Sequence, residues 1–350
     1  MPIVASLIAL ALAAEATAPA TTAPPPAPPL HVAWSKPGNW LAVDADRTTG
    51  SVLAWESASD KNRVAEIDAS GSELVSVSVP NRHFPVRLLR VVRRGEQKRL
   101  LVFGGPRLLS AWEMTGEKSW EKDLDDPLDD LATDDLDNDG RDEVVLGLQG
   151  GGGVQVLDTA GKLLWGRENS CGFTRVWAVA TGDVDGDRRA DVVEGSHLAV
   201  LRRPGTPIQT FWSKAPSDGP LSASHGLTVA RRPGRRAAQV LVGAGLEDLA
   251  DHHGVTAVDA DTGKVLWHTE VEVPRYPGRL VGRAARTQPW VAYNSADVVR
   301  VVSAVTGVEL GRRVAGGAVR DLAWTEVGAT AKLVVATDAG LVALEVPGNQ

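Results

Sequence analysis

The sequence predicts an all-β protein, a seven-bladed β-propeller of four-stranded blades, and three observations lead to it. Short apolar runs recur with a turn signal about every ten residues, the signature of a sandwich, barrel or propeller. The runs fall into self-similar units: an apolar strand, a turn, a strand ending in Gly, a second short strand, a Gly turn and a strand carrying Trp. The composition fits short strands and tight turns, with 36 Gly and 11 Trp against 2 Met, 4 Phe and 2 Tyr.

In order, the first unit has strands at 40–43, 52–55, 64–67 and 74–79, the last alternating apolar residues with Ser as a half-buried strand does. The second has 86–91, 100–104, 108–112 and 118–120; the third opens near Leu128 and continues through 144–147, 154–158 and 161–165. The fourth runs through 176–179, 192–193, 198–201 and 211–212; the fifth through 227–229, 240–243 and 255–267. The sixth has 280–281, 290–293 and 298–303, and the seventh 319–324, 333–336 and 341–344. The seventh lacks a fourth strand, which residues 31–34 could supply from the other end of the chain and so hide open sheet edges. Residues 31–36 could instead open the first blade, and the pattern also admits six or eight blades.

The formal net charge of the 350-residue chain is −7, which argues against a nucleic-acid partner, since that binding needs a basic face. Residues 1–16 read as a signal peptide, an apolar run from Ile3 to Ala14 ahead of Ala14-Glu15-Ala16, although no Lys or Arg precedes it. The run is too short for a stable membrane span, so the chain is expected in the cell envelope, secreted or periplasmic, as a monomer. Residues 17–30 are a Pro/Ala/Thr-rich linker, and 31–350 the propeller. The single Cys171 cannot form an internal disulfide.

The chemistry sits in two acidic loops. Asp135, Asp137, Asp139 and Glu143 alternate around Gly140, and Asp183, Asp185, Asp187 and Asp191 repeat the pattern. Alternating carboxylates with a sharp turn suit a hard cation that takes six to eight oxygens, so structural Ca²⁺ is expected at both. Without a cation these groups repel one another. The segment with Glu247, Asp248, Asp251, His252 and His253 lengthens a strand connection and reads as a solvated loop with transition-metal donors. Asp123, Asp125, Asp126, Asp129 and Asp130 read as a solvated blade-to-blade loop that would favour a cationic partner.

The acidic loops resemble the FG-GAP and VCBS repeats of integrin-like propellers, with the pattern Asp-x-Asp/Asn-x-Asp-Gly-x-x-Asp. The resemblance implies that the loops join the first and second strands of a blade and that the backbone carbonyls of Arg141 and Arg189 are further ligands. Arg188 stands where that pattern has Gly, which implies a strained second turn. Ala257, Asp259, Thr262, Gly263, Lys264 and Trp267 resemble the blade motif of quinoprotein-type (PQQ-like) propellers; Asp158, Gly161, Lys162 and Trp165 follow it with one deletion, and Thr115-Gly116 before Trp120 is a partial copy. In that motif the Thr-Gly turn caps a hairpin and the Trp docks between blades. A quinone cofactor is not expected. The function expected is a non-catalytic binding or scaffolding module, with a protein or glycan partner on the face opposite the calcium loops. The alternative is an enzyme acting on a carbohydrate or other small substrate at the central channel.

Overall fold

A computed structural model of the chain describes residues 27–57, 62–79, 87–95, 99–167, 176–195, 199–201, 226–231, 239–244, 254–260, 264–270, 279–283, 289–327 and 330–347. Among them the strands form six four-stranded antiparallel sheets and one three-stranded sheet. The chain enters through β1 (His31–Pro37). Sheet 1 follows as β2 (Trp40–Ala45), β3 (Val52–Ser57), β4 (Asn62–Ile67) and β5 (Glu73–Val79). Sheet 2 is β6 (Leu88–Arg93), β7 (Arg99–Gly104), β8 (Leu108–Glu113) and β9 (Lys118–Asp123). Sheet 3 is β10 (Leu128–Asp134), β11 (Glu143–Leu148), β12 (Val154–Leu157) and β13 (Leu163–Arg167).

Sheet 4 is β14 (Val179–Gly182), β15 (Asp191–Glu194) and β16 (Ala199–Leu201). Sheet 5 is β17 (Gly226–Arg231), β18 (Gln239–Ala244), β19 (Gly254–Asp259) and β20 (Val265–Glu270). Sheet 6 is β21 (Leu280–Gly282), β22 (Trp290–Ser295), β23 (Val298–Ser303) and β24 (Glu309–Val314). The last is β25 (Val319–Val327), β26 (Thr330–Thr337) and β27 (Gly340–Glu345), with β1 antiparallel to β27 from His31↔Glu345 to Pro37↔Gly340. Residues 31–37 therefore belong to the last sheet rather than the first.

The sheets are propeller blades. The first strand of each packs on the first strand of the next, and β25 packs on β2. The middle strands are largely apolar because both of their faces are covered: β11 and β22 are buried at every position, Glu143, Asn294 and Ser295 included. The outermost strands are half solvated, with Leu74, Val75, Val265 and Val314 exposed.

Side chains stitch the innermost strands together across the gaps between sheets. The Val43 N–H donates to Asp321 Oδ2 at 3.2 Å, Val91 N–H to Asp44 Oδ2 at 2.8 Å and Val179 N–H to Asp130 Oδ2 at 2.9 Å. Gly282 N–H donates to Thr228 Oγ1 at 3.1 Å. Each bond satisfies a backbone donor that the first strand of a twisted blade cannot pair within its own sheet.

The outer rim is tied by Trp. Trp34 Nε1–H donates to Ala69 O at 3.2 Å, Trp120 to Thr159 O at 2.9 Å and Trp267 to Ala304 O at 2.9 Å, each across to the turn of the following sheet. Those turns carry Gly71, Gly161 and Gly307 at φ +90°, +78° and +71°, and an added Cβ would lie within 3 Å of the Trp ring in each case. Both the backbone conformation and the close approach of the indole thus demand Gly there. In sheets 1 and 3 the turns are fixed by Asp68 and Asp158, whose Oδ1 atoms accept the N–H groups two and four residues on.

Several expectations change. Pro28–Leu30, assigned to the linker, is packed: Pro29 bridges Arg312 of β24, Leu30 N–H donates to Arg312 O at 3.1 Å, and Leu30 is 0% exposed. Asp130 is not in a solvated loop; it is a buried residue of β10, because that strand begins at Leu128. The strand expected from residue 176 begins at Val179, since Val176 N–H is used by Leu148 O. The expected signal peptide, Cys171, the strand at 211–212 and Glu247 to His253 lie outside the described residues. No helix among the described residues is long and apolar enough to cross a membrane.

Candidate metal centre

The two acidic loops join β10 to β11 and β14 to β15, the first hairpin of sheets 3 and 4. Their second residues, Leu136 and Val184, are buried and anchor each loop to the core. Around that anchor the aspartates fold the backbone by accepting its N–H groups. In the first loop Asp135 accepts from Asp139 and Gly140 at 3.1 and 3.0 Å, Asp137 from Asp139 at 3.2 Å and Asp139 from Arg141 at 2.8 Å. In the second, Asp183 accepts from Gly186 and Arg188 at 2.7 and 3.2 Å, Asp185 from Asp187 at 3.0 Å and Asp187 from Arg189 at 2.8 Å.

Glu143 Oε2 closes the first loop on the Leu136 N–H at 2.8 Å, and Asp191 Oδ2 closes the second on the Val184 N–H at 3.0 Å. The longer Glu therefore does in one loop what Asp does in the other. Both loops place two residues in the left-handed region: Asn138 and Gly140 at φ 59° and 86°, Gly186 and Arg188 at 81° and 73°. Arg188 bears the cost a side chain incurs there, about 1–2 kcal/mol. The loops also touch, through Asn138 Nδ2–H and Arg188 O at 3.3 Å.

This folding gathers one carboxylate oxygen from each of Asp135, Asp137 and Glu143 within 4.8 Å of one another, and likewise from Asp183, Asp185 and Asp191. Asp139 and Asp187 fall outside these groups, and their Oδ1 atoms instead hold the N–H groups of Arg141 and Arg189. Glu143 is 6% exposed. Burial, then the charges of Asp137, Asp139 and Asp135, push its carboxyl up to about 7, against the pull of the Leu136 N–H. A buried carboxylate beside other carboxylates fits an oxygen-liganding hard cation, which would relieve both the burial and the repulsion.

Residues 135–194 match an FG-GAP-like repeat. The match opens on Asp135 of the first loop and ends with β15, so the FG-GAP-like segment contains both loops and the outer part of sheet 3. No curated protein matches the chain.

A second polar feature lies on the propeller axis. A cavity of about 170 Å³ is lined by the innermost strands and contains Asp44, Arg90, Asp130, Arg279 and Asp321. Arg279 lies 3.8 Å from Asp130 and 3.7 Å from Asp321, and Arg90 3.9 Å from Asp321, separations longer than direct hydrogen bonds. Burial raises the carboxyls of Asp44 and Asp130, with Arg90 and Arg279 opposing it. Arg90 also donates to Leu131 O at 2.9 Å and Leu89 O at 2.8 Å. The carboxylates hold neighbouring backbones and the guanidinium groups balance them.

Apart from Asp130, which the acidic run placed in a solvated loop, these axial residues were missed in the sequence. The available signal was a charged residue inside the apolar first strand of several units, as in Val43-Asp44, Leu89-Arg90-Val91 and Asp321-Leu322. Asp142 was missed as well. It lies between Arg141 and Glu143 and is buried against Arg93 of β6.

Proposed function

We propose that this chain is an exported β-propeller, closed as a seven-blade ring with β1 at its seam, that is stabilised by calcium at two loops and works as a binding module. The observation that carries the metal is the buried Glu143 facing Asp135 and Asp137, repeated by Asp191 with Asp183 and Asp185. The FG-GAP-like match supports the same reading. The Trp34, Trp120 and Trp267 contacts between sheets support the quinoprotein-type blade as the second half of the likeness. Binding is favoured over catalysis because the axial carboxylates of Asp44, Asp130 and Asp321 are already used on backbone N–H groups. The partner is a protein or glycan docking on the face away from the calcium loops, and net charge −7 disfavours nucleic acid.

The test joins stability to capture. Chelation is expected to lower the melting temperature of calcium-loaded protein, and the mature chain is expected to retain a partner from its own cell envelope. An unchanged melting temperature defeats the metal, and turnover of a glycan panel with no retained partner defeats the binding role.

A further inference from the structure

We propose that Arg93 and Asp142 form a latch that makes the first acidic loop the tighter of two unequal calcium sites. This rests on the reading that the loops hold calcium. Asp142, 5% exposed, lies between Arg141 and Glu143 and points away from the loop to the neighbouring sheet. Its Oδ1 accepts from Arg93 Nε at 2.9 Å and Nη2 at 2.6 Å, and its Oδ2 from the Arg93 N–H at 2.8 Å. The Asp142 N–H donates back to Arg93 O at 3.0 Å, and Arg94 and Arg141 form an antiparallel bridge. Four hydrogen bonds therefore fix the backbone immediately before Glu143 to the end of β6. A forked, charge-assisted pair of this kind holds geometry as well as position.

The second loop lacks a carboxylate at this position. Ala190 occupies the position of Asp142, is 8% exposed and packs in an apolar cluster. That loop also carries Arg188 at φ 73° where the first has Gly140. The first loop therefore has a brace on the residue before Glu143 that Ala190 cannot supply before Asp191, and it is spared the strain that Arg188 brings to the second. Groups that orient ligands from behind typically change metal affinity about 10–100-fold when removed. Arg93 and Asp142 are positioning residues by this argument, since neither is a ligand.

The experiment is calorimetric titration of the folded, chelator-stripped full chain with Ca²⁺, with Asp185→Asn used to assign the second site. The expected result is two steps, the tighter one surviving in Asp185→Asn. Asp142→Asn is expected to weaken that tighter step about 10–100-fold and to leave the weaker one within about 3-fold. Arg93→Lys, which keeps the charge and loses the fork, should fall between the wild type and Asp142→Asn. A general loosening of the fold would weaken both steps together, and that result overturns the latch. So does an unchanged tighter step in Asp142→Asn, or two equal sites in the wild type. No calcium binding by the wild type overturns the metal reading itself.

Discussion

Replacing Glu143 with Gln should stabilise the metal-free protein and remove its response to calcium at the first loop. The two effects have opposite signs because the carboxylate is a liability without an ion and a ligand with one. The Glu143 carboxyl is raised from 4.5 to about 7 by burial and by Asp137, Asp139 and Asp135. The folded chain therefore holds the proton more tightly than the unfolded chain does. Stability from this group is present below pH 4.5 and is lost as pH rises toward 7.

At about 1.4 kcal/mol per unit, the full loss is about 3 kcal/mol, and solvent screening at the exposed side of the loop reduces it to about 1–3 kcal/mol. Gln keeps an oxygen to accept the Leu136 N–H at the position Glu143 Oε2 now fills. It carries no charge to desolvate. Urea unfolding in chelator should show wild type less stable at pH 8 than at pH 5 by about 1–3 kcal/mol, with most of that slope gone in Glu143→Gln. In calcium the order at pH 8 should reverse. Equal stability of the two proteins at pH 8 without metal, or an unchanged pH slope in the variant, would refute the assignment of strain to Glu143.

Two further outcomes follow from the packing. Trp120→Phe and Trp267→Phe should each cost about 1 kcal/mol through loss of the bonds to Thr159 O and Ala304 O. Their effects should add in the double variant, because the pairs lie in different sheets. Asp321→Ala should cost about 3–5 kcal/mol. It strands the Val43 N–H and leaves Arg90 and Arg279 facing a gap, and Asp321 is only 3% exposed. Denaturant midpoints measure all three, and a loss under about 1 kcal/mol at Asp321 would mean that water replaces the carboxylate there.

The blades were legible because their signals are local. Alternation in residues 74–79, the Gly turns at 71 and 161, and the apolar runs 144–147 of β11 and 290–293 of β22 each announce a strand or a turn within a few residues. The acidic loops were legible for the same reason: all their carboxylates lie within one short hairpin. What depends on a neighbouring sheet was not. Asp44 and Asp321 look like stray acids in sequence and Asp130 like the end of a solvated acidic run, and only the approach of Val91, Val43 and Val179 gives them work. Asp142 was hidden by its neighbours, since among so many loop carboxylates nothing local separates one that faces Arg93 from those that face one another. Pro28–Leu30 carries the composition of a flexible spacer, and its order comes from β24, far along the chain.

The carboxylate stitches between innermost strands bear on how the molecule comes apart. In an open stack of repeats, end units fray first and stability is close to a sum over neighbours. Among the described residues the first strand of each sheet packs on the next and β25 packs on β2, so in the closed ring proposed above no unit is at an end. Peeling sheet 1 away leaves the Asp321 carboxylate exposed on one side and the Val91 N–H orphaned on the other. Hydrogen exchange at Val43, Val91 and Val179 should therefore occur only through opening of the whole ring, with one common free energy for three residues in three different blades.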